Sequence, residues 1–209
     1  MILVTGTEGL IGSHLCARLE ASGFEVRRFD LSRSRSEDIC RTQSLAVALE
    51  GVRGVIHLAA ISRVVWAEQN PHLCLNVEAL AELLDLCRLG TKPWLIFASS
   101  REVYGEARRL PVREDDPLHP MNAYGRSKRA GELLIGAANS SGLLANTCRL
   151  SNVYGWSRDH PDRVVMAFAI AAARGGVISV EGRANAFDFT HIDDVVEGLW
   201  RLVQATIAG

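Results

Sequence analysis

The feature that most constrains the fold is a glycine-rich turn near the start of the chain. Residues 2–4 are an Ile-Leu-Val run, typical of a buried strand in a parallel sheet. Gly6, Gly9 and Gly12 follow, and residues 10–22 then have the apolar periodicity of a helix. A strand, a glycine-rich turn and a helix start together predict a pyrophosphate site, because the first N–H groups of a helix attract an anion.

An acidic residue at the expected distance extends this to a dinucleotide site. The three glycines would allow the tight bend, the approach of backbone to phosphate, and close helix–strand packing. Asp30 follows the second predicted strand, residues 25–29, where a carboxylate can accept from an adenosine ribose. A P-loop is excluded, since no Gly-Lys-Ser/Thr follows the glycines. Asp30 favours NAD because it would repel a 2′-phosphate, while Arg33 and Arg35 leave NADP open.

Composition indicates one α/β domain, with room for a small appendage. The chain has 209 residues, of which 48% are hydrophobic. A formal net charge of −1 argues against nucleic acid or anionic lipid as a partner, and no apolar run approaches the roughly 18–20 residues of a membrane span. Because the chain begins with a core strand, we expect no signal or transit peptide. Five cysteines without CxxC spacing predict a reduced, cytoplasmic protein without a metal site.

Strand and helix patterns alternate along the chain, which predicts a doubly wound parallel sheet. After the first strand, the predicted strands are residues 25–29, 55–58, 94–97, 143–150 and 177–180. The predicted helices are residues 10–22, 42–50 with Thr42 as cap, 71–89 with Asn70 as cap, 124–139, 161–174 and 192–203. Ligands bind beyond the carboxyl ends of strands in such sheets, so the chemistry is expected there.

A tyrosine and a lysine at helical spacing predict a proton-transfer site. Tyr124 and Lys128 are four residues apart at the start of a predicted helix, so both side chains lie on one face. An ammonium beside a phenol favours phenolate and lowers the pKa of the tyrosine. Ser100, at the end of the preceding strand, can hydrogen-bond the same reacting oxygen. This set suits oxidation of an alcohol, with the hydride passing to a nicotinamide held by the glycine turn.

The sequence resembles the extended short-chain dehydrogenase/reductase superfamily, in particular its nucleotide-sugar epimerases and dehydratases. The matching motifs keep the family order over almost the whole chain. They are Thr5-Gly-Thr-Glu-Gly-Leu-Ile-Gly12, Asp30, Asp38-Ile39, His57-Leu-Ala-Ala60, Asn76, Ser99-Ser-Arg-Glu-Val-Tyr-Gly105, Tyr124-Gly-Arg-Ser-Lys128, Arg149-Leu-Ser-Asn-Val-Tyr-Gly155 and His191-Ile-Asp-Asp-Val195. The fold implied is α/β, a Rossmann-type doubly wound parallel sheet with a reduced C-terminal substrate lobe.

The resemblance implies a role for each matching residue. Ser100, Tyr124 and Lys128 would be catalytic, with Tyr124 as the acid/base. The residues implied to contact NAD are Gly6, Gly9, Leu10, Ile11, Gly12, Asp30, Asp38, Ile39, Leu58, Ala59, Ala60, Asn76, Tyr124 and Lys128. The residues expected to contact a nucleotide-sugar substrate are Ser100, Arg101, Glu102, Tyr124 and Asn152.

The residues after Ser100 bear on which reaction of the family is expected. By the resemblance, dehydratases of the family have Asp then Glu at these positions. This chain has Arg101 and Glu102 there. An arginine cannot serve as the acid, which disfavours dehydration. Glu102 leaves decarboxylation of UDP-glucuronate open, and Arg101 could clamp a carboxylate or phosphate. A 4-epimerase of a UDP- or dTDP-sugar needs only the Ser/Tyr/Lys set and is the first prediction. The alternatives are a decarboxylase, dehydratase or reductase of the family, or a non-catalytic NAD(P)-binding sensor.

Some positions depart from the family pattern. By the resemblance, epimerases often have an arginine that binds the nucleotide diphosphate at the position of Phe187. Trp156 stands where the family commonly has a proline or similar residue. We expect a Rossmann domain with the catalytic residues over 1–155 and a partial substrate-binding lobe over 156–209, because the family normally continues further. By the same resemblance, the helices at 71–89 and 124–139 would pair across a homodimer.

Overall fold

The computed structural model describes residues 1–61, 68–69, 76–107, 109–156, 159–180, 182 and 186–208. Five parallel strands form the central sheet, in the order β2-β1-β3-β4-β5. These strands are β1 (Ile2–Thr5), β2 (Val26–Phe29), β3 (Gly54–His57), β4 (Trp94–Ser100) and β5 (Ala145–Leu150). Short strands β6 (Asn152–Tyr154) and β7 (Phe189–His191) pair in parallel as a second sheet.

Six α-helices are described, most of them packed on the central sheet. They are α1 (Leu10–Ala21), α2 (Thr42–Ala48), α3 (Asn76–Leu89), α4 (Ala123–Ser140), α5 (Val164–Ala173) and α6 (Ile192–Ala208). A single 3₁₀ turn, Arg101–Val103, follows β4 directly.

The sheet is covered on both faces, as alternating side chains on β1 show. Leu3 belongs to a core with buried residues of α2, α3 and α4. Ile2 and Val4 belong to a second core with buried residues of α1 and α6. The chain moves outward from β1 to β2 on one side and continues to β3 on the other, so the strand order reverses at β1. Ligand crevices form at such a point, beyond the carboxyl ends of the strands.

The α/β class and the Rossmann-type sheet predicted from the sequence are confirmed, but some elements differ. Residues 177–180 form no strand: Val177 is 94% exposed, and within the described residues no strand pairs with this run. β-Branched composition alone does not make a strand without a partner. The predicted cap at Thr42 is also wrong, because Thr42 is the first helical residue and Arg41 holds the cap position.

Other boundaries differ more modestly. The helix predicted from residue 161 begins at Val164, and α6 continues to Ala208. Strand β4 ends at Ser100, where the sequence placed the end of this strand. β6 and β7 are strands that were not predicted, because three-residue segments carry little periodicity. The predicted start of α3 at residue 71, with Asn70 as its cap, lies outside the described residues.

Candidate active site

A single long cavity of about 800 Å³ follows the carboxyl edge of the sheet. Its walls come from the turns after β1, β2, β3 and β4, the start of α4, and residues between 150 and 165. The glycine turn and Asp30 lie on this wall, and so do Ser100, Tyr124 and Lys128. The predicted catalytic residues and the predicted cofactor residues other than Asn76 therefore line one cavity.

The glycine turn is packed so tightly that side chains would not fit. Gly6 has a φ of +76°, and a Cβ there would lie 2.7 Å from the backbone nitrogen of Ala59. A Cβ on Gly12 would lie 2.1 Å from the carbonyl oxygen of Gly6. Gly9 holds the cap position of α1, where no side-chain cap hydrogen bond is made. The first turn of a helix lacks intrahelical partners for its N–H groups, which makes it a ready anion site.

Asp30 lies at the end of β2 and faces the glycine turn. Its Oδ2 accepts from the backbone N–H of Glu8 at 2.9 Å, and its Oδ1 accepts from that of Ser32 at 2.8 Å. These bonds fix the carboxylate on the cavity wall, beside Asp38 and Ile39. The three residues predicted to contact the adenosine therefore line the same cavity, and their role stays a prediction.

Arg33, which left NADP open at the sequence level, lies between two carboxylates. Its Nη1 is 3.6 Å from Oε1 of Glu8, and its Nε is 3.4 Å from Oε2 of Glu37. The same Glu37 oxygen accepts from the backbone N–H of Asp30 at 2.9 Å. Arg33 is not among the described residues that line the cavity, whereas Glu8 and Glu37 are.

The turn after β3 forms the opposite wall of the groove, through Leu58, Ala59 and Ala60. The backbone N–H of Ala59 donates to Oγ1 of Thr5 at 3.2 Å, which ties this turn to β1. Asn76 is not among the described residues on the wall, contrary to its predicted place in the groove. Its Oδ1 instead accepts from the backbone N–H of Ile61 at 2.9 Å, and Ile61 does line the cavity.

His57 supports this wall from inside the core. Its Nδ1 lies 3.0 Å from Oγ1 of Thr5, and its ring stacks on Phe97. Burial, with a smaller contribution from the charge of Lys128, lowers the pKa of His57 to about 3. A neutral, fully buried histidine therefore holds β1 and β3 together below the turn.

Lys128 and Tyr124 meet on one face of α4, as their spacing predicted. Lys128 Nζ lies 5.7 Å from the centroid of the Tyr124 ring and 4.8 Å from that of Phe97. The ammonium group donates to the carbonyl oxygen of Ala98, on β4, at 2.7 Å. Only 3% of Lys128 is exposed, and burial lowers its pKa to about 8. Ser100 ends β4 next to this pair, and its Oγ accepts from the backbone N–H of Glu102 at 3.2 Å.

Helix α4 begins where it does because of a side-chain cap and close glycine packing. Oδ1 of Asn122 accepts from the backbone N–H of Gly125 at 2.7 Å, a standard N-cap bond. A Cβ at Gly125 would lie 2.7 Å from the carbonyl oxygen of Glu102, and one at Gly131 would lie 2.6 Å from the ring of Phe97. Glycine at both positions lets the helix lie directly against β4, which places Tyr124 at the cavity.

Arg101 and Glu102 form a pair at the far end of the cavity. Nη2 of Arg101 is 2.8 Å from Oε1 of Glu102, and its Nε donates to Oδ1 of Asn152 at 3.3 Å. Oε2 of Glu102 accepts from Asn122 at 2.7 Å. The guanidinium of Arg101 also lies 5.2 Å from the centroid of the Phe187 ring. Phe187 stands where the resemblance led us to expect an arginine. Arg101 thus places a positive charge beside the aromatic residue at that position.

Sequence reasoning gave no role to a buried ion pair beneath α4. Oε1 of Glu132 accepts from Ser99 Oγ at 2.6 Å and from Arg149 Nε at 2.9 Å, while its Oε2 accepts from Arg149 Nη2 at 2.9 Å. Burial raises the pKa of Glu132, but the hydrogen bonds from Arg149 and Ser99 outweigh it, so the pKa is lowered. One signal was available: Glu132 is four residues beyond Lys128, on the same helical face.

Arg149 extends this network to the loop after β4. Its Nη1 donates to the hydroxyl of Tyr104 and to the carbonyl oxygen of Glu114, both at 2.8 Å. The hydrogen bonds to Glu132 are the largest cause that raises the pKa of Arg149. The side chain therefore remains a cation that joins β5, α4 and the loop.

Among the described residues, no group of His, Cys, Asp or Glu side chains is arranged to hold a metal ion. No helix in the described part of the chain is both long and apolar enough to cross a membrane.

The strand order, the glycine turn and the Tyr124–Lys128 pair define an extended short-chain dehydrogenase/reductase. The family model of the NAD-dependent epimerase/dehydratase family matches residues 2–209, and the chain belongs to that family. The resemblance stated from the sequence motifs is thereby confirmed.

Relatives of known name show what the chain is similar to. UDP-glucuronate 4-epimerase 2 of Arabidopsis thaliana is 32% identical over 230 aligned positions, which cover 94% of this chain and 52% of that protein. The chain thus spans about half the length of this curated relative.

Two solved structures have the same fold over nearly the whole chain. TunA, an NAD-dependent NDP-hexosamine 5,6-dehydratase of tunicamycin biosynthesis, is 34% identical with a TM-score of 0.87, over 97% of this chain and 71% of that one. UDP-glucuronic acid 4-epimerase from Bacillus cereus, solved with UDP-glucuronic acid and NAD, is 28% identical with a TM-score of 0.84, over 97% of this chain and 72% of that one.

Proposed function

We propose that the chain is an NAD-dependent 4-epimerase of a UDP- or dTDP-sugar, acting through transient oxidation at C4. The observation that carries this proposal is the shared cavity, which brings Asp30 and the glycine turn together with Ser100, Tyr124 and Lys128. The similarity to two UDP-glucuronate 4-epimerases, one from a plant and one from Bacillus cereus, supports it.

The residues present fit a bound NAD. Gly6 and Gly12 hold the turn close against neighbouring backbone, and the start of α1, which has no side-chain cap hydrogen bond, lies on the same wall, which suits a pyrophosphate. Asp30 is held with its carboxylate on the wall, where it suits a ribose 2′-hydroxyl. A bound NAD would supply the acceptor and donor of a hydride.

The side chains of this chain would handle the proton at the sugar oxygen. Tyr124 would take the proton of the C4 hydroxyl and later return one, with Ser100 hydrogen-bonded to the same oxygen. Lys128, fixed by its bond to Ala98, places a positive charge beside the Tyr124 ring and favours the phenolate. Return of hydrogen to the other face of the C4 ketone would complete the epimerisation, with no net oxidation of the sugar.

A dehydratase or decarboxylase of the same family is the second candidate. Glu102 on the cavity wall and the similarity to TunA favour it. Its carboxylate, however, is ion-paired with Arg101 and accepts from Asn122. Both contacts would have to loosen before Glu102 could take a proton from a sugar, whereas the epimerase needs no change there.

We also propose a homodimer that pairs α3 and α4 of one subunit with those of the other. The support is the resemblance of these two helices to the pair at the family's dimer interface; Leu133 on α4 is 59% exposed, but a single exposed apolar side chain is ordinary at a protein surface. Light scattering at micromolar concentration tests this assembly, and a monomer would count against it.

The division into a cofactor domain over 1–155 and a substrate-binding part over 156–209 stays a proposal, as does a cytoplasmic location. The four cysteines in the described part of the chain are free thiols, which fits a reducing compartment. Limited proteolysis with and without NAD would test the domain boundary near residue 155.

An assay of the purified chain with NAD tests the function directly. Separate incubations would contain UDP-glucose, UDP-glucuronate, UDP-N-acetylglucosamine and dTDP-glucose, with products identified by chromatography and mass detection. A product of unchanged mass and new retention is expected, and Tyr124→Phe should abolish it while NAD still binds. Loss of water or carbon dioxide would identify the second candidate instead. Binding of NAD without turnover of any sugar would support a non-catalytic NAD(P)-binding module.

A further inference from the structure

The end of the cavity near Asp30 is strongly acidic. Within residues 29–40, all of which are described, the wall includes Asp30, Glu37 and Asp38 but no arginine or lysine. Glu8 of the glycine turn adds a fourth carboxylate to the same region of the wall. A ligand with extra negative charge would meet repulsion here, because like charges brought together in a site cost several kcal/mol.

Arg33 could offset this negative charge, but its contacts hold the side chain between Glu8 and Glu37. It joins Glu8 of the glycine turn to Glu37, which in turn accepts from the backbone of Asp30. We call this set the Glu8–Arg33–Glu37 bridge. Nη1 is used by Glu8 and Nε by Glu37, so either edge of the guanidinium that could bind a phosphate bidentately would have to give up one of these contacts.

The bridge does not need to be strong to have this effect. The side chains of Arg33, Glu8 and Glu37 are 41%, 45% and 24% exposed, and ion pairs of that kind add little stability. Its influence comes from local charge: Asp38 is paired with Arg41, whereas Arg33 is shared between Glu8 and Glu37 beside Asp30, so pulling Arg33 toward a new anion leaves those two glutamates less compensated.

We propose that the Glu8–Arg33–Glu37 bridge acts with Asp30 to make the chain select NAD over NADP. This inference rests on the proposed function, since it concerns the cofactor of that same cavity. Asp30 alone would already disfavour a 2′-phosphate; the additional point is that Glu8 and Glu37 keep Arg33 from compensating it. Removal of the two glutamate charges should therefore release a cation that suits the 2′-phosphate of NADP.

Direct binding measurements test this without any turnover. Calorimetric titration of the full chain should give a dissociation constant for NADP about 100-fold larger than that for NAD. The Glu8→Gln/Glu37→Gln variant keeps both side-chain shapes and a carbonyl oxygen that can still accept from Asp30. It should bind NADP about 10-fold more tightly than the wild-type chain, with NAD affinity changed by less than about 3-fold.

A third substitution separates release of Arg33 from simple loss of negative charge. Adding Arg33→Gln to the double variant should remove the gain in NADP affinity, whereas Arg35→Gln should leave it in place. Glu20→Gln removes one carboxylate that pairs with Arg28 instead, and should leave the affinity for both cofactors unchanged. A triple variant with Arg33→Gln that still binds NADP as tightly as the double variant would overturn the role given to Arg33.

The outcomes also distinguish this inference from the proposed function. NAD binding by the wild-type chain, with no gain in NADP affinity in the double variant, would overturn the inference alone. Failure of the wild-type chain to bind NAD at all would overturn the NAD-dependent function and the inference together. Equal affinity of the wild-type chain for NAD and NADP would overturn the selectivity while leaving a dinucleotide site.

Discussion

Two ion-pair networks, one beneath α4 and one beside the glycine turn, differ chiefly in burial. Beneath α4, Glu132 is bound by Arg149 through two hydrogen bonds of 2.9 Å, with its side chain only 5% exposed. Beside the glycine turn, Arg33 contacts Glu8 and Glu37 at 3.6 and 3.4 Å, in side chains that are 24–45% exposed. The residue types are the same, but the consequences of losing a partner are not.

Burial decides what each network does. A buried charge that loses its partner remains desolvated, which is costly, whereas an exposed one is rehydrated. The Glu132–Arg149 pair joins α4, β4 and β5 at the point where Ser99 precedes Ser100, so it supports the position of the catalytic face. The bridge at Arg33 stabilises little and acts on the charge that a ligand meets. The comparison therefore separates a structural network from one that affects selectivity.

The largest effect is expected from Arg149→Gln. The change leaves the Glu132 carboxylate buried with much weaker compensation, which typically costs about 3–5 kcal/mol in the free energy of unfolding. Urea denaturation followed by circular dichroism would measure the loss. The same substitution at Arg129 is the matched control, because Arg129 approaches the same carboxylate at 3.5 Å but is 39% exposed. Equal losses from the two variants would contradict the importance of burial.

The second effect concerns the pH dependence that Lys128 imposes. Burial lowers its pKa from 10.5 in the unfolded chain to about 8, so the unfolded state binds the proton more tightly. Burying the charged ammonium destabilises the folded state by roughly 3 kcal/mol below about pH 8. This destabilisation disappears as the pH rises from about 8 to 10.5. Lys128→Met should lack this rise in stability.

The measurement is the difference between the two unfolding free energies across that pH range. Cys16 and Cys87, whose pKa values burial raises to about 11 and 12, titrate in both proteins and cancel in the difference. Parallel stability curves for the wild-type chain and Lys128→Met would show that Lys128 keeps an ordinary pKa in the folded state.

A third, smaller effect is expected within α4 itself. Gly131→Ala would bring a Cβ within 2.6 Å of the Phe97 ring, and overpacking of this kind costs about 1–3 kcal/mol. Gly136→Ala, in the same helix, meets nothing within 4 Å and should stabilise the protein by about 0.5–1 kcal/mol. Thermal unfolding of both variants would test whether the catalytic half of α4 is the tightly packed half. Destabilisation by both changes would contradict this.

The sequence predicted best where local chemistry leaves few solutions. Gly6, Gly9 and Gly12 were predicted as the turn between a strand and a helix from their spacing, and in the structure a Cβ at Gly6 or Gly12 would collide with neighbouring backbone. Tyr124 and Lys128 were placed on one helical face by spacing alone. Both predictions depend on contacts close in sequence or fixed by one strand–turn–helix unit.

Long-range contacts could not be predicted in the same way. Glu132 and Arg149 are 17 residues apart, and Arg33 was interpreted as part of a solvated loop that still left a phosphate ligand open. Which use applies depends on Glu8, which is brought near only by the pairing of β1 with β2. The apolar run at 177–180 failed as a predicted strand for the same reason, because strand formation requires a partner.

The smallest effect on stability is expected from Arg33→Gln, and it sharpens the comparison most. Because the pairs with Glu8 and Glu37 are partly exposed, the free energy of unfolding should change by less than about 0.5 kcal/mol, well below the change for Arg149→Gln. Urea denaturation of both variants under one set of conditions gives the two values. A loss at Arg33 as large as that at Arg149 would mean that the bridge holds the glycine turn in place. The bridge would then affect NADP affinity only by supporting the fold. A displaced glycine turn would alter the affinities for NAD and NADP alike and leave the ratio of the two unchanged.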